Sequence, residues 1–321
     1  MNVQVEDTPA ATTPHRAQPA VNSRPVNISS VRHISPFRYP GGKTWLVPTI
    51  VAWLKNRSIR PSSLVDPFTG GGSIPLSLLR EDLTDRIILG DIDPGVGAVW
   101  ECILSSENSE LRRQIRNFTV SRETVVSTLD EKPESRLGLA FQTLLRNRTS
   151  RGGILAPGSN LLMSGEKGRG VASRWYPVTL DNRLSLLDTL RPRIEFTQGD
   201  AFSLIEKHMN SPDAAFFIDP PYTAGEGKRA GRRLYKYNDI DHDKLFSTLK
   251  KAAGLVLMTY DDCPEVIELA GSSGFQFERV SMRNTHHVKS FELLISNFAE
   301  YSTNGQSTES TEAHQNANSE K

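Results

Sequence analysis

Seven short segments of this chain are rich in apolar residues, either in continuous runs or interspersed with polar ones. Apolar runs of about four to eight residues bounded by turn residues are typical of buried β-strands. Leucines spaced along one helical face, such as Leu245 and Leu249, predict helices between the segments. This alternation predicts an α/β fold with a mostly parallel sheet and helices on both faces, closed by an antiparallel C-terminal edge where the last two segments form a hairpin. The predicted strands span residues 63–66, 86–90, 193–197, 214–219, 254–260, 275–280 and 291–296.

The alternation is interrupted between residues 95 and 192. Helical patterns around 111–118 and 137–145 are followed by a glycine-rich basic loop that starts at Arg146, so we expect an inserted, mainly helical domain. Both ends of the chain are polar and lack apolar periodicity, which predicts disorder. The predicted division is a disordered arm 1–31, a main α/β domain formed by 32–94 and 193–298, an insertion 95–192, and a disordered tail 299–321.

The composition narrows the functional classes. The net charge of +1 shows that the chain as a whole is not basic. Binding to nucleic acid can therefore be inferred only from local clusters of basic residues. Two cysteines, Cys102 and Cys263, are too few for a zinc quartet or a disulfide framework, and we expect no metal site. No apolar run approaches the roughly 18 residues of a membrane span, and the N-terminus lacks an apolar signal core. These features predict a cytoplasmic protein with no membrane segment.

The stretch from Phe216 to Tyr222 combines an apolar strand with an acid, two prolines and an aromatic ring. Proline cannot donate to a sheet ladder, so the strand must end at Asp219. The C-terminal ends of parallel strands form the edge of the sheet where ligands bind in open α/β folds. The stretch therefore predicts a carboxylate, a rigid backbone and a flat ring beside a ligand site.

A glycine-rich turn follows the first strand at Thr69-Gly70-Gly71-Gly72, and an acid, Asp91, ends the second strand. Glycine lets the backbone approach a ligand, and an acid in this place binds ribose hydroxyls in doubly wound folds. Together they predict a nucleoside cofactor. The segment Gly41-Gly42-Lys43-Thr44 resembles a phosphate-binding loop, but Phe37 stands where that pattern needs a glycine. An anionic group such as a carboxylate is the alternative ligand at this helix start.

Two basic clusters flank the predicted edge. Arginine, asparagine and glycine on an exposed loop suit contacts with phosphates and base edges, so both clusters predict DNA binding. The predicted DNA-binding residues are Arg146, Asn147, Arg148 and Arg151 in the insertion and Lys228, Arg232 and Arg233 after the Pro-Pro-Tyr stretch.

The Asp-Pro-Pro-Tyr sequence selects among cofactors. It suits methylation of an exocyclic amine on a nucleobase, because the carboxylate of Asp219 and the carbonyl of Pro220 can accept its two N–H bonds while Tyr222 stacks on the base. This chemistry implies S-adenosylmethionine (SAM) as methyl donor. A base within a duplex cannot reach such a pocket, so the nucleotide must be flipped out.

Four motifs resemble, in order, those of the Dam-like DNA adenine-N6 methyltransferases. They begin at Pro36, Asp66, Gly90 and Asp219, and the strand Glu292-Leu293-Leu294-Ile295 also resembles the end of that family's domain. The resemblance implies a Rossmann-like SAM-dependent methyltransferase fold, an insertion that recognises the target, and a monomer acting on double-stranded DNA in a prokaryotic or phage context. It implies SAM contacts for Tyr39, Lys43, Asp66, Phe68, Gly70, Gly72, Asp91, Asp200 and Asp219, and catalytic roles for Asp219, Pro220 and Tyr222.

Several alternatives stay open. The stretch from Ser164 to Arg169 does not match GATC-reading members of the family, so the recognition sequence is not fixed. A restriction endonuclease is a possible partner in the same system. An N4-cytosine DNA methyltransferase, an RNA base methyltransferase and a non-enzymatic DNA-binding module remain alternative functions.

Overall fold

A computed structural model describes residues 31–38, 42–156, 159–164, 166–222, 237, 239–283 and 289–298. Within these ranges the chain forms one seven-stranded sheet in the order β3-β2-β1-β4-β5-β7-β6. The predicted disordered arm, apart from Val31, and the predicted tail lie outside the described residues. The strands are β1 (Ser63–Asp66), β2 (Arg86–Asp91), β3 (Ile194–Gln198), β4 (Ala214–Ile218), β5 (Leu255–Asp261), β6 (Gln276–Arg283) and β7 (Lys289–Ser296).

The strand pairing confirms the predicted fold class. Strands β1 to β5 are parallel to one another, and β7 pairs antiparallel with both β5 and β6. The chain leaves β1 towards β2 on one side of the sheet and returns later to β4 on the other side of β1. This reversal of strand order places a crevice at the carboxyl ends of β1 and β4, which is where open α/β sheets bind ligands.

Helices fill the connections, as the leucine spacing predicts. A short 3-10 turn, Lys43–Leu46, leads into the first of them. The helices are α1 (Val47–Asn56), α2 (Ser73–Arg80), α3 (Pro94–Ile103), α4 (Asn108–Asn117), α5 (Arg122–Asp130), α6 (Arg136–Thr149), α7 (Pro177–Leu190), α8 (Ala201–His208), α9 (His242–Leu249) and α10 (Pro264–Ser273).

Successive strand residues point to opposite faces of the sheet and form two hydrophobic cores. Leu64 and Phe217 belong to the core that contains helices α1 to α7. Val65 and Phe216 belong to the second core, which is covered by α8, α9 and α10. Burial on both faces explains why the central strands are continuous apolar runs rather than alternating ones.

The helices between β2 and β3 are continuous with the first core. Helix α3 is almost entirely buried, and the indole N–H of Trp100 donates to the carbonyl of Gly70 at 3.0 Å. Leu144 of α6 and Leu184 of α7 join the same core. The domain division stays a prediction, but this packing favours placing α3 with the sheet and starting the insertion after Ile103.

Candidate active site

A cleft opens at the carboxyl ends of β1, β2, β3 and β4. The glycine-rich loop, Lys43 and Asp219 line it, together with residues that follow β3 and the segment before α9. Of the predicted cofactor-binding residues, the structure brings Lys43, Asp66, Phe68, Gly70, Gly72, Asp91, Asp200 and Asp219 to this cleft. The remaining one, Tyr39, lies outside the described residues.

The glycine-rich loop is held in shape by the strands on either side. Gly70 and Gly72 have φ angles of 45° and 61°, a left-handed conformation that glycine adopts without strain. Asp91 accepts the backbone N–H of Gly70 at 2.8 Å through one oxygen and that of Asp93 at 2.9 Å through the other. Burial raises the pKa of Asp91 to about 6, although these N–H donors act in the opposite direction. Asp91 therefore orders the loop, and its predicted contact with ribose stays a prediction.

Asp66 and Asp200 are at opposite ends of the exposure range. Asp66 is buried and accepts the backbone N–H of Phe68 at 3.2 Å. Burial, followed by the charge of Asp219, raises the pKa of Asp66 well above its usual value. Asp200 is exposed and caps α8 by accepting the backbone N–H of Ser203 at 3.1 Å.

Three side chains donate hydrogen bonds to a single oxygen of Asp219. Lys43 Nζ lies 2.9 Å from Oδ1, the Tyr222 hydroxyl lies 3.0 Å from it, and Thr259 Oγ1 lies 2.8 Å from it. In the described part of the chain no donor reaches Oδ2. The carboxylate is thus held in orientation through one of its two oxygens.

A second carboxylate, that of Glu292 on β7, lies beside this group. Its Oε2 is 3.7 Å from Lys43 Nζ and 3.5 Å from the Tyr222 hydroxyl. Burial raises the pKa of Glu292 to about 7; Lys43 opposes this shift, while Asp219 and Asp261 add to it. Lys43 is only 4% exposed, and a buried charge needs partners of opposite charge nearby. The carboxylates of Asp219 and Glu292 are those partners.

The ring of Tyr222 contacts side chains of the protein on this rim. It stacks on Tyr260 with ring centroids 5.6 Å apart and planes 18° apart, and Lys43 Nζ lies 4.6 Å from its centroid. Burial and the charge of Asp219 raise the pKa of Tyr222 well above its usual value, so the hydroxyl remains a donor at physiological pH. The predicted stacking of Tyr222 on a target base stays a prediction.

The interpretation of residues 146–149 as an exposed loop is wrong. Helix α6 continues through Thr149, and Asn147 and Arg148 are 1% and 4% exposed. Asn147 bonds to the backbone of Arg38, and Arg148 Nη2 donates to the carbonyl of Pro36 at 2.7 Å. Burial, and then the charges of Arg183 and Arg38, lower the pKa of Arg148 to about 9. These two side chains therefore bind protein backbone in this structure, not an external phosphate.

The other predicted DNA-binding residues divide into two groups. Arg151 is exposed and Arg146 is half-buried, so their role stays a prediction. Lys228, Arg232 and Arg233 lie outside the described residues.

Sequence reasoning assigned no role to several residues of the site. Thr259 directly follows the apolar residues of β5 and Glu292 directly precedes those of β7, and these positions were the only indication in the sequence. Ile92 lines the cleft and is 47% exposed between two acids, an unusual place for an aliphatic side chain. Phe202, in the first turn of α8, also lines the cleft. The role of Trp100 could not be predicted from the sequence, because its hydrogen bond to Gly70 depends on how α3 packs against the glycine-rich loop.

No group of three or more His, Cys, Asp or Glu side chains suited to a metal ion occurs among the described residues. None of the helices in the described ranges combines the length and hydropathy that a bilayer crossing needs.

Comparison with solved structures finds methyltransferases at low similarity. A putative RNA methyltransferase from Pyrococcus horikoshii is 9% identical, with 84% of this chain and 92% of that chain covered and a TM-score of 0.38. A putative methyltransferase from Escherichia coli is 12% identical, with coverages of 82% and 88% and a TM-score of 0.36. An rRNA methylase from Streptococcus thermophilus is 11% identical, with coverages of 79% and 97% and a TM-score of 0.35. Similarity at this level does not distinguish substrates.

Comparison with curated proteins gives no match. Comparison with protein families gives a match that spans three of the four motifs, the end of the first motif and most of the sheet: residues 39–286 match the family described as D12 class N6 adenine-specific DNA methyltransferases. The match covers well over half of the chain and agrees with the fold and with the acid–proline–aromatic rim. This chain belongs to the D12 class of N6 adenine-specific DNA methyltransferases.

Proposed function

We propose that the cleft binds SAM and that Asp219, together with the Pro220 carbonyl, accepts the N6 amine of an adenine flipped out of duplex DNA. The family's activity is SAM-dependent methylation of adenine N6 in DNA. The proposal assigns that activity to named side chains of this chain. The observation that carries it is the group of three donors on one oxygen of Asp219.

The charge of the cleft supports a cationic cofactor. Among the described residues, its lining contains six aspartates and one lysine, Lys43, whose charge is already engaged by Asp219. Burial raises the pKa of two of these aspartates, Asp66 and Asp91, which lowers the negative charge that they contribute. SAM carries a positive sulfonium and a positive ammonium group, which this lining favours. The six aspartates are Asp66, Asp91, Asp93, Asp200, Asp219 and Asp239.

Apolar side chains supply a place for a flat nucleobase. Ile92 and Phe202 line the cleft beyond the glycine-rich loop, and Phe68 and Ile240 add further apolar surface. Adenine buries well between such groups, because aromatic and aliphatic surfaces gain most from exclusion of water. The residues present therefore fit a cofactor that combines a nucleoside with a cationic group.

The bound cofactor supplies a methyl group on a sulfonium, which is a good leaving group. The exocyclic amine is a poor nucleophile because its lone pair is delocalised into the base. SAM would supply the methyl group, a carbon–sulfur bond would be exchanged for a carbon–nitrogen bond, and the positive charge that develops on the nitrogen would be relieved by loss of one amine proton to solvent. Two acceptors, Asp219 Oδ2 and the Pro220 carbonyl, stabilise that developing charge without reorienting, because three donors and a proline backbone hold them in advance.

The helices inserted between β2 and β3 would recognise the target sequence, with exposed Arg151 and half-buried Arg146 as DNA contacts. From the family resemblance we also propose a monomer in a prokaryotic or phage-infected cytoplasm, with a restriction endonuclease as a possible partner.

The test is to incubate purified protein with isotope-labelled SAM and plasmid DNA, and then digest the DNA to nucleosides for mass spectrometry. The expected product is labelled N6-methyladenine, and base-resolution mapping of the same DNA would read the recognition sequence. Labelled N4-methylcytosine, or label in RNA but not in DNA, would contradict the adenine assignment. Tight DNA binding with no SAM binding in calorimetry would contradict an enzymatic role.

A further inference from the structure

Residues 35–38 lie between the glycine-rich loop and the C-terminal end of α6. On one side, a methyl group added at Gly71 would approach Ser35 Oγ to 2.6 Å. On the other side, a methyl group added at Gly153 would approach the carbonyl oxygen of Arg38 to 2.3 Å. Neither contact leaves room for a side chain, so the segment is packed tightly against both neighbours.

Asn147 holds the end of this segment with its whole side chain. Its Oδ1 accepts the backbone N–H of Arg38 at 2.8 Å, and its Nδ2 donates to the Arg38 carbonyl at 3.1 Å. The same Nδ2 donates to the carbonyl of Gly153 at 2.7 Å. The amide thus pairs with Arg38 as a neighbouring strand would, and it also fixes the turn that follows α6.

Two arginines of the inserted helices hold the rest of the segment. Arg148 Nη2 donates to the carbonyl of Pro36 at 2.7 Å, and Arg183 Nη1 donates to the carbonyl of Ser35 at 3.0 Å. With Asn147, side chains from α6 and α7 bind three of the four carbonyls between residues 35 and 38. Hydrogen bonds from guanidinium groups are stronger than neutral ones, and burial leaves no water to replace them.

The segment leads, five residues after Arg38, to Lys43, which donates to Asp219 in the cleft. Helices α6 and α7 themselves contribute no residue to the lining of the cleft among the described residues. Residues 35–38, which contact both α6 and the glycine-rich loop, are one direct connection between these helices and the cleft.

We propose that Asn147 is a positioning residue that fixes residues 35–38, and through them Lys43 and the glycine-rich loop, in the arrangement that binds SAM. This rests on the proposed function, since it requires that the cleft holds SAM. The inserted helices are then needed, in addition to the sheet, to hold the cofactor site in the arrangement that binds SAM.

The test is calorimetric binding of SAM to the full chain, with steady-state KM for SAM and for DNA measured alongside. Asn147→Ala removes the three bonds, and Gly153→Ala displaces the Arg38 carbonyl from the other side. Thr149→Val is the matched control: it removes a buried hydroxyl bond to the carbonyl of Leu145 in the same helix, and its side chain makes no bond to residues 35–38. Thermal unfolding of each variant reports its general loss of stability.

We expect Asn147→Ala and Gly153→Ala to weaken SAM binding about tenfold, which is equivalent to about 1.4 kcal/mol. The KM for SAM should rise in parallel, while the KM for DNA stays within about twofold. Thr149→Val should bind SAM as the wild type does. If Asn147→Ala does not fold, Gly153→Ala decides the question alone.

Wild-type affinity for SAM in the two variants would overturn the inference. Equal loss of SAM affinity in Thr149→Val would also overturn it, since general destabilisation would then account for the effect. A wild-type protein that binds no SAM would overturn the proposed function itself, and the inference with it.

Discussion

Removing one donor from Asp219 tests whether its orientation matters for catalysis. Thr259 is completely buried on β5, and its hydroxyl donates to Asp219 Oδ1 at 2.8 Å. Thr259→Val preserves the shape of the side chain and removes only this bond. Lys43 and Tyr222 still donate to the same oxygen, so Asp219 is not left unpaired.

The expected cost follows from the strength of the bond. A hydrogen bond to a charged acceptor contributes about 1.5–3 kcal/mol, and with two donors remaining we expect the lower part of that range. At about 1.4 kcal/mol for each factor of ten, kcat should fall roughly 10- to 30-fold. Thr259 does not line the cleft, so the dissociation constant of SAM should change by less than about twofold.

The assay is single-turnover methyl transfer at saturating SAM and DNA, with SAM affinity measured by calorimetry. Thr143→Val is the matched control, because it removes a buried hydroxyl bond to the carbonyl of Leu139 in α6 and leaves Asp219 untouched. A Thr259→Val enzyme with the wild-type single-turnover rate would refute the reasoning. So would a loss of SAM affinity large enough to account for the whole effect.

Two further variants test neighbours of the site. Because the pKa of Glu292 is raised to about 7 in the folded chain, its stabilising contribution is present below the unfolded value near 4.5 and is lost as pH rises through about 7. The melting temperature of Glu292→Gln should therefore rise relative to that of the wild type between pH 5 and pH 8. A difference in melting temperature that stays constant over this range would show that Glu292 does not titrate there. Trp100→Phe removes the indole bond to Gly70 and should weaken SAM binding about two- to tenfold in calorimetry. The buried indole nitrogen of Trp175 has no hydrogen-bond partner among the described residues, so Trp175→Phe should leave SAM affinity unchanged, and equal effects of the two variants would contradict the role of Trp100.

The sheet was predictable from the sequence because its strands are buried on both faces. A continuous apolar run such as Phe216 to Ile218, too short for a helix and bounded by turn residues, is typical of a central strand. The ends of the hairpin strands were less accurate. Strand β6 extends to Arg283 and β7 begins at Lys289, since backbone pairing continues beyond the apolar residues that mark the strands.

Those cleft-lining residues that end a strand or follow it closely were predictable from the sequence. Asp66, Asp91, Asp200 and Asp219 each end or follow a parallel strand, and parallel strands end at one edge. Thr259 and Glu292 depend instead on the order and register of β5 and β7, which local patterns do not determine. Pairing places both residues close enough to reach Asp219 or its donor Lys43.

The one wrong prediction in the insertion came from equating basic residues with exposure. Arg148 is buried because its guanidinium finds a backbone carbonyl in residues 35–38, which lie more than a hundred residues earlier in the chain. Asn147 is buried for the same reason. No local property of α6 distinguishes such a long-range contact from an exposed basic surface.

The central claim is that Asp219 accepts the amine during methyl transfer, and Asp219→Ala tests it most directly. The measurement is the single-turnover rate of N6-methyladenine formation by mass spectrometry, at SAM and DNA concentrations shown by binding assays to saturate the variant. Since the carboxylate stabilises charge that develops in the transition state, we predict a loss of at least about a hundredfold in that rate. A rate within a few-fold of the wild type under saturating conditions would contradict the account.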